Sequence, residues 1–330
     1  MASREAMEQS GLEITDELSD STGVVLGTAA GGMNTWDDNF RSVYEDGKNR
    51  VHPFVVPKLM NNAAASHLSM AYNIKGPSLT VSTACASSNH AIGLAFQMVR
   101  SGMAQVMLAG GADAMLTFGG IKAWEGLRVM SKTACRPFSA NRSGMVQGEG
   151  AGIFVLETYE RAKARGAEIL AELVGFAMTS DAGDIVMPNQ QGAVRAMRGA
   201  LRDACLDPQD IGYINAHGTG TAANDKTECA AVQEAFSRED FHNVDMRGIA
   251  ARSGMSFSTI YKYFGDKEHL LFEFISEWLA ELRVLLSYGS SQTDDYKWPA
   301  VGHPVECTLC SLSNQIGATN DHHAPSRSSN

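Results

Sequence analysis

An α/β fold with a largely parallel sheet is predicted for the first two thirds of this 330-residue chain, followed by a small all-α unit. Three observations predict it. Up to Phe236, apolar β-branched runs of strand length alternate with longer segments of helical periodicity. After Phe236 the strand-like runs stop and helical spacing alone continues to about residue 286. Hydrophobic residues at 44% and charged residues at 19% are globular proportions, from which only the polar, aperiodic stretch 287–330 departs. The expected organisation is therefore an α/β domain over 1–236, a helical unit over 237–286 and a disordered tail over 287–330.

The elements follow in order. Arg4–Gln9 reads as a short helix closed by Gly11. TGVVLGT (22–28) is an apolar run with glycine at its flanks, as a buried strand would be. PKLMNNAAASHLSMAYN (57–73) is expected to be one helix, with Pro57 in its first turn. SLTVST (78–83) is β-branched and reads as a strand, and ASSNHAIGLAFQMVRSG (86–102) as a helix closing on Gly102. QVMLAGG (105–111) and GIFVLE (152–157) read as strands, TYERAKARG (158–166) as a helix and ILAELVGFAM (169–178) as a further strand. GAVRAMRGALRDAC (192–205) is helical, IGYINAHG (211–218) is a strand running into a Gly-rich turn, and NDKTECAAVQEAF (224–236) is a helix. Beyond it, MRGIAARSG, FSTIYKYF and DKEHLLFEFISEWLAELRVLL are three helical segments joined by short turns.

Composition narrows the function classes. The net charge of −10 argues against a generally basic protein that coats nucleic acid. Residues 1–236 hold 19 basic and 25 acidic side chains, whereas 237–270 hold five of each. No apolar stretch approaches the length of a membrane span, and the opening MASREAMEQSGLEI lacks the apolar core of a signal peptide. Six scattered cysteines do not make a disulfide scaffold, so a cytoplasmic, reduced chain is expected. Cys307 and Cys310 form a CxxC pair with His303, His322 and His323 nearby, but one such pair in a polar tail does not supply four tetrahedral ligands. No metal is expected.

VSTACASS places Cys85 where a β-branched strand ends and a helix begins. The unpaired N–H groups and dipole of a first helical turn favour a thiolate there, and the small neighbours Ala84, Ala86, Ser87 and Ser88 leave room for a substrate. Geometrically this is the logic of a nucleophile elbow with sulfur in place of oxygen. On this motif alone, a buried structural cysteine is the commoner outcome. INAHGTGTAANDKTE adds His217 at a strand terminus, able to donate to a developing negative charge, with the hydroxyls of Thr219 and Thr221 offered to a polar substrate arm. Taken together, the two motifs shift the balance towards chemistry.

TACASS, AGGADAM, CRPFSANRSGMVQGEGAGIFVLE and NAHGTGTAANDKTE resemble the elongating, type II β-ketoacyl-acyl-carrier-protein synthases. The wording GLRVMSKTACRPFSANRSGMVQGEGAGIFVLE, with SDAGDIVMPN, is most similar to the nodulation branch of that family, which makes the acyl chain of rhizobial signal lipids. The resemblance covers roughly residues 1–236. It implies a partial thiolase-like (αβαβα) fold, a homodimer through this portion, and decarboxylative condensation of an acyl thioester with malonyl-acyl-carrier protein. Cys85 matches the residue that takes the acyl group, and His217 matches the first of two histidines that assist decarboxylation and stabilise the enolate. Thr219 and Thr221 match the threonines that hold the phosphopantetheine arm. That arm is carried as substrate on the acyl-carrier protein, and no other cofactor is implied. Glu228 matches a carboxylate paired with a downstream lysine, and Cys135, Cys205 and Cys229 read as packing cysteines. In the family Gly148 and Gly150 are turn and close-packing positions rather than a phosphate loop. The family's opening strand, its second histidine and its lysine have no counterpart in these 330 residues, so impaired condensation is expected.

EAFSREDFHNVDMRGIAARSGMSFSTIYKYFGDKEHLLFEFI resembles the DNA-binding head of TetR-type repressors. Ile249 and Ala250 would pack a first helix, Gly254 would turn the chain, and Ser256 would cap a recognition helix over 257–264. Ser258, Thr259, Tyr261 and Lys262 are then placed to reach bases or phosphates, and Lys267 and Arg252 the backbone. The zero local charge keeps an ordinary three-helix packing unit in contention. Three functions are thus distinguished: a synthase-like acyltransferase, a weak DNA binder in which the synthase portion is a scaffold, and a fusion product with neither activity.

Overall fold

A computed structural model describes residues 1–236, and the helix-turn-helix and tail expectations for 237–330 lie outside the described residues. Of the described residues, Met1–Asp207 and Tyr213–Ala231 belong to one compact unit, and Pro208–Gly212 with 232–236 to another. The sheet and the candidate site lie in the first unit. Its elements begin with α1 (Ala2–Ser10), α2 (Asp16–Ser19), β1 (Thr22–Gly27), α3 (Met33–Tyr44), α4 (Val55–Leu59), α5 (Ala63–Ala71) and β2 (Ser78–Val81). They continue with α6 (Ser87–Arg100), β3 (Val106–Asp113), α7 (Phe118–Gly126), β4 (Gly150–Glu157), α8 (Tyr159–Ala164) and α9 (Gln190–Ala204). After a 3₁₀ turn at Pro208–Asp210 comes α10 (Ala222–Phe236).

The sheet order is β2-β1-β3-β4, with β1 parallel to both β2 and β3. Strand β4 runs antiparallel to β3, with Val106 opposite Glu157 and Asp113 opposite Gly150. Every residue of β1 is buried, which explains why its sequence is apolar without alternation. The pleat still separates two faces. Val25, Met107 and Ala109 point to one side, against Ala91, Ala95 and Val99 of α6. Val24, Leu26 and Leu108 point to the other, against Ala65 of α5 and Ile74, with Met7 of α1 alongside.

Caps fix several helix starts. Thr15 Oγ1 accepts the N–H of Leu18, Thr117 Oγ1 that of Gly120, Thr158 Oγ1 that of Arg161, and Asn189 Oδ1 those of Gln191 and Gly192. Gly11, at φ 59°, ends α1 in the left-handed conformation read from the sequence.

Some expectations are revised. The helix expected over 57–73 is two helices, α4 and α5, separated at Met60, Asn61 and Asn62. Asparagine competes with the helix for its own backbone groups, and Asn61 packs against Gly31. The runs 169–178 and 211–218 form no ladder among the described residues. A strand needs a partner edge as well as apolar residues, and Ile169, Leu170, Met178 and Tyr213 of these runs stay exposed. Helix α3 was hidden by its polar sequence, MNTWDDNFRSVY. Its ring contacts run along one face, Trp36 to Phe40 at 4.4 Å and Phe40 to Tyr44 at 6.3 Å between centroids. No described helix is long and apolar enough to cross a membrane.

Candidate active site

Cys85 sits between the end of β2 at Val81 and the start of α6 at Ser87. The chain reverses sharply here: Thr83 bridges to Cys85, and Ala84 stands at φ 52° in the left-handed region. The turn can sit close to the sheet because glycine lies beneath it. A Cβ on Gly27 would run into the backbone of Ser87, and one on Gly111 into the Ser88 hydroxyl. The ends of the central strands β1 and β3 thereby press the start of α6 into a fixed place.

His217 is delivered by the loop that precedes α10, and its side chain is brought close enough to Cys85 to be the largest influence on the thiol. The loop is clamped from behind. Glu228 Oε1 accepts the N–H of His217 at 2.6 Å, Oε2 accepts that of Gly218 at 2.9 Å, and Asn224 Nδ2 donates to Oε2 at 3.1 Å. Gly218 and Gly220 stand at φ 52° and 73°, so the glycines of HGTG are needed for the backbone path.

The electrostatics of the pair converge. The hydrogen bond from His217 comes first in holding the Cys85 thiol below its ordinary range, and burial opposes it. The charge of His217 and the backbone N–H of Cys85 add to the lowering, while the Asp113 carboxylate works against it. Conversely, the hydrogen bond with Cys85 raises His217, burial lowers it, and the charges of Cys85, Glu228 and Asp225 raise it further. The start of α6 lies two residues beyond the sulfur, and His217 is the largest influence lowering the thiol. Both side chains keep solvent on one side. Dense protein on the other side accounts for the opposing effect of burial.

Thr219 and Thr221 follow His217 on the same loop. The Thr219 and Thr221 hydroxyls bond each other at 2.8 Å, and Thr221 Oγ1 also accepts the N–H of Asn224. Cys135 donates its thiol to the Thr219 carbonyl, and burial pushes that thiol up. Cys135, Cys205 and Cys229, read as packing cysteines, are exposed and unbridged. Cys205 is the left-handed cap that ends α9. Among the described residues no group of three or more metal-ligating side chains is assembled. Ser258, Thr259, Tyr261, Lys262 and Lys267 lie outside the described residues.

Two carboxylates with structural work were not singled out from the sequence. Asp225, 1% exposed, accepts the N–H of Phe138 at 2.7 Å and of Gly220 at 3.1 Å, and faces Arg142 Nε at 3.6 Å. It ties the CRPFSANR loop to the HGTGT loop. Asp113 Oδ1, at the end of β3, accepts from the Thr28 hydroxyl and the N–H groups of Ala29 and Ala30, and so holds the loop that follows β1. The signal for Asp225 was its place in GTAAND, three residues before Glu228 and so on the same face of one helix.

An α/β sheet with a cysteine at a strand-to-helix turn, faced by a histidine from a later loop, defines the class of protein. The chain belongs to the β-ketoacyl synthase family: residues 1–162 match its N-terminal domain and 170–250 its C-terminal domain. Residues 230–274 match the tetR family of bacterial regulatory proteins, overlapping the end of the synthase match. Over 241 residues the chain is 48% identical to nodulation protein E of Rhizobium leguminosarum bv. trifolii, covering 73% of this chain and 60% of that one. Over 249 residues it is 41% identical to 3-oxoacyl-[acyl-carrier-protein] synthase 2 of Staphylococcus aureus strain N315, covering 73% and 60%. The chain therefore spans about three fifths of the length of these relatives.

Among solved structures, it superposes on a β-ketoacyl synthase from Burkholderia phymatum STM815 at TM-score 0.66 and 36% identity, covering 71% of this chain and 59% of that one. A type II PKS acyl-carrier protein in complex with its ketosynthase gives TM-score 0.68 and 32% identity, covering 73% and 62%. The fold of 1–236 is thus thiolase-like.

Proposed function

We propose that this chain is a β-ketoacyl-acyl-carrier-protein synthase-like acyltransferase, acting on acyl chains of the fatty-acid or nodulation-lipid kind in the cytoplasm. The observation that carries the reading is the pairing of Cys85, at the strand-to-helix turn, with His217 from the loop before α10, each the largest influence on the other's proton affinity. The Cys85 thiolate attacks the carbonyl of an acyl thioester carried on the phosphopantetheine arm of an acyl-carrier protein. The carbon–sulfur bond to the carrier breaks, the carrier thiolate leaves and takes a proton, and an acyl-cysteine remains. In the condensing half, malonyl-carrier protein loses CO₂ with His217 donating to the enolate oxygen, the enolate carbon attacks the carbonyl of the acyl-cysteine, the carbon–sulfur bond to Cys85 breaks, and the Cys85 thiolate leaves a β-ketoacyl chain on the carrier. Thr219 and Thr221 hydrogen-bond the arm once their mutual contact opens towards it. A homodimer through 1–236 belongs to the same reading.

Incubating the full chain with an acyl thioester of a type II acyl-carrier protein tests the transfer half. Digestion and mass spectrometry are expected to place one acyl group on the peptide that contains Cys85. No acylated peptide, or label at another cysteine, overturns the reading.

The match of 230–274 to the tetR family favours a second reading for the chain beyond 236. On this reading the sequence divides into a synthase-related domain (1–236), a helix-turn-helix unit (237–286) and a tail (287–330). Ser258, Thr259, Tyr261, Lys262 and Lys267 are then its DNA contacts. The full chain is expected to bind labelled duplex with a dissociation constant of roughly 10⁻⁴–10⁻⁶ M at physiological salt and a clear salt dependence. Lys262→Ala and Lys267→Ala should each flatten the salt slope by about one unit. Titration at two salt concentrations decides it, and salt-insensitive behaviour removes the DNA reading.

A further inference from the structure

Ser87 is the first residue of α6 and 2% exposed, so its hydroxyl has no access to a substrate. It is nevertheless fully engaged. Its Oγ accepts the N–H of Thr83 at 2.8 Å and donates to the carbonyl of Ala84 at 2.6 Å. The two bonds grip the chain on either side of the peptide that joins Thr83 to Ala84, immediately before Cys85. Ala84 is held at φ 52°, in the left-handed region that a residue with a Cβ rarely adopts. Backbone bonds from Ala86 N to Thr83 O and from Ser87 N to Ala84 O complete the turn. The Thr83 hydroxyl is in turn tied to His90 Nδ1 at 2.8 Å, one turn further along α6. Beneath Ser87 there is no slack, because Gly27 of β1 abuts its backbone.

We propose that Ser87 is a positioning residue for Cys85: its buried hydroxyl staples Ala84 in the left-handed conformation and so aims the sulfur at His217. The proposal rests on the reading of Cys85 as the nucleophile, but acts one step earlier, on the geometry of the turn. Without the staple, Ala84 relaxes to an ordinary φ, Cys85 rotates, and the hydrogen bond from His217 is lost. A glycine at position 84 takes positive φ without penalty, so it should make the staple dispensable.

The test is the pH dependence of Cys85 alkylation by iodoacetamide in the full chain, read by peptide mass. It needs no carrier protein, so failure of acyl transfer and failure of this proposal are separate results. Ser87→Ala is expected to slow alkylation at pH 7 by about five- to tenfold, the equivalent of one or two lost hydrogen bonds, and to move the midpoint to higher pH. Adding Ala84→Gly to Ser87→Ala is expected to return both rate and midpoint to within about twofold of the parent, since glycine removes the left-handed penalty. General loosening would not move the midpoint, and Ala84→Gly would not reverse it. An unchanged midpoint in Ser87→Ala, or a shifted midpoint that persists in the double variant, overturns the proposal. If Ser87→Ala does not fold, the double variant decides alone: folded with a parental midpoint it supports the staple, and unfolded it overturns it.

Discussion

His217→Ala is expected to slow alkylation of Cys85 at pH 7 by about 10- to 100-fold, the equivalent of losing one hydrogen bond to a charged group. The sign follows from the forces on the sulfur. The His217 hydrogen bond is the largest influence favouring the thiolate, and the charge on His217 adds to it. Both vanish in the variant, while burial and the Asp113 carboxylate remain, and these push the thiol up. The alkylation profile must therefore move to higher pH, and less thiolate is present at neutral pH. His217→Gln keeps a donor but no positive charge, so it should fall between parent and alanine variant. Acyl transfer from a carrier thioester should drop with alkylation, because both begin with the same thiolate. A profile that stays in place in His217→Ala would show that the start of α6 alone sustains the thiolate.

That experiment also separates what was legible in the sequence from what was not. Strands β1 to β4 and helices α6, α8 and α9 could be read because each carries its own apolar period, and the sheet buries β1 and most of β3 on both faces. The runs 169–178 and 211–218 carried the same apolar composition and yet form no ladder among the described residues. Pairing is a property of two segments, and composition reports on one. Cys85 and His217 could be singled out by their turns, but the contact between residues 132 positions apart could not be derived from either motif. The same holds for the supports. Ser87 looked like a small neighbour that leaves room for substrate, whereas the structure uses its hydroxyl to hold Ala84. Asp225 looked like one more polar residue at a helix start, whereas it is buried between two loops whose sequences lie about 85 residues apart.

Asp225→Ala is expected to cost about 3 kcal/mol of stability, the low end for removing one partner of a buried ion pair. The low end applies because Arg142 keeps 27% of its side chain exposed and is partly hydrated once its partner is gone. The rest of the cost lies in the backbone. Phe138 at φ 60° and Gly220 at φ 73° both turn their N–H groups onto this carboxylate, and neither can readily find another acceptor from those conformations. For a domain of this size the melting temperature should fall by roughly 6–12 °C, measured by circular dichroism. Asp225→Asn should recover little, because one amide oxygen cannot accept from both loops while its NH₂ group faces Arg142. The damage should also reach the site: the HGTGT loop loses the bond from the Gly220 N–H, leaving the Gly220 carbonyl to Gly144, the Thr219 carbonyl to Cys135, and His217 and Gly218 to Glu228. Alkylation of Cys85 should therefore slow in the fraction that remains folded. A melting temperature within about 2 °C of the parent would place the loops under other restraints and remove Asp225 from the support of the site, since a shift that small is under about 1 kcal/mol.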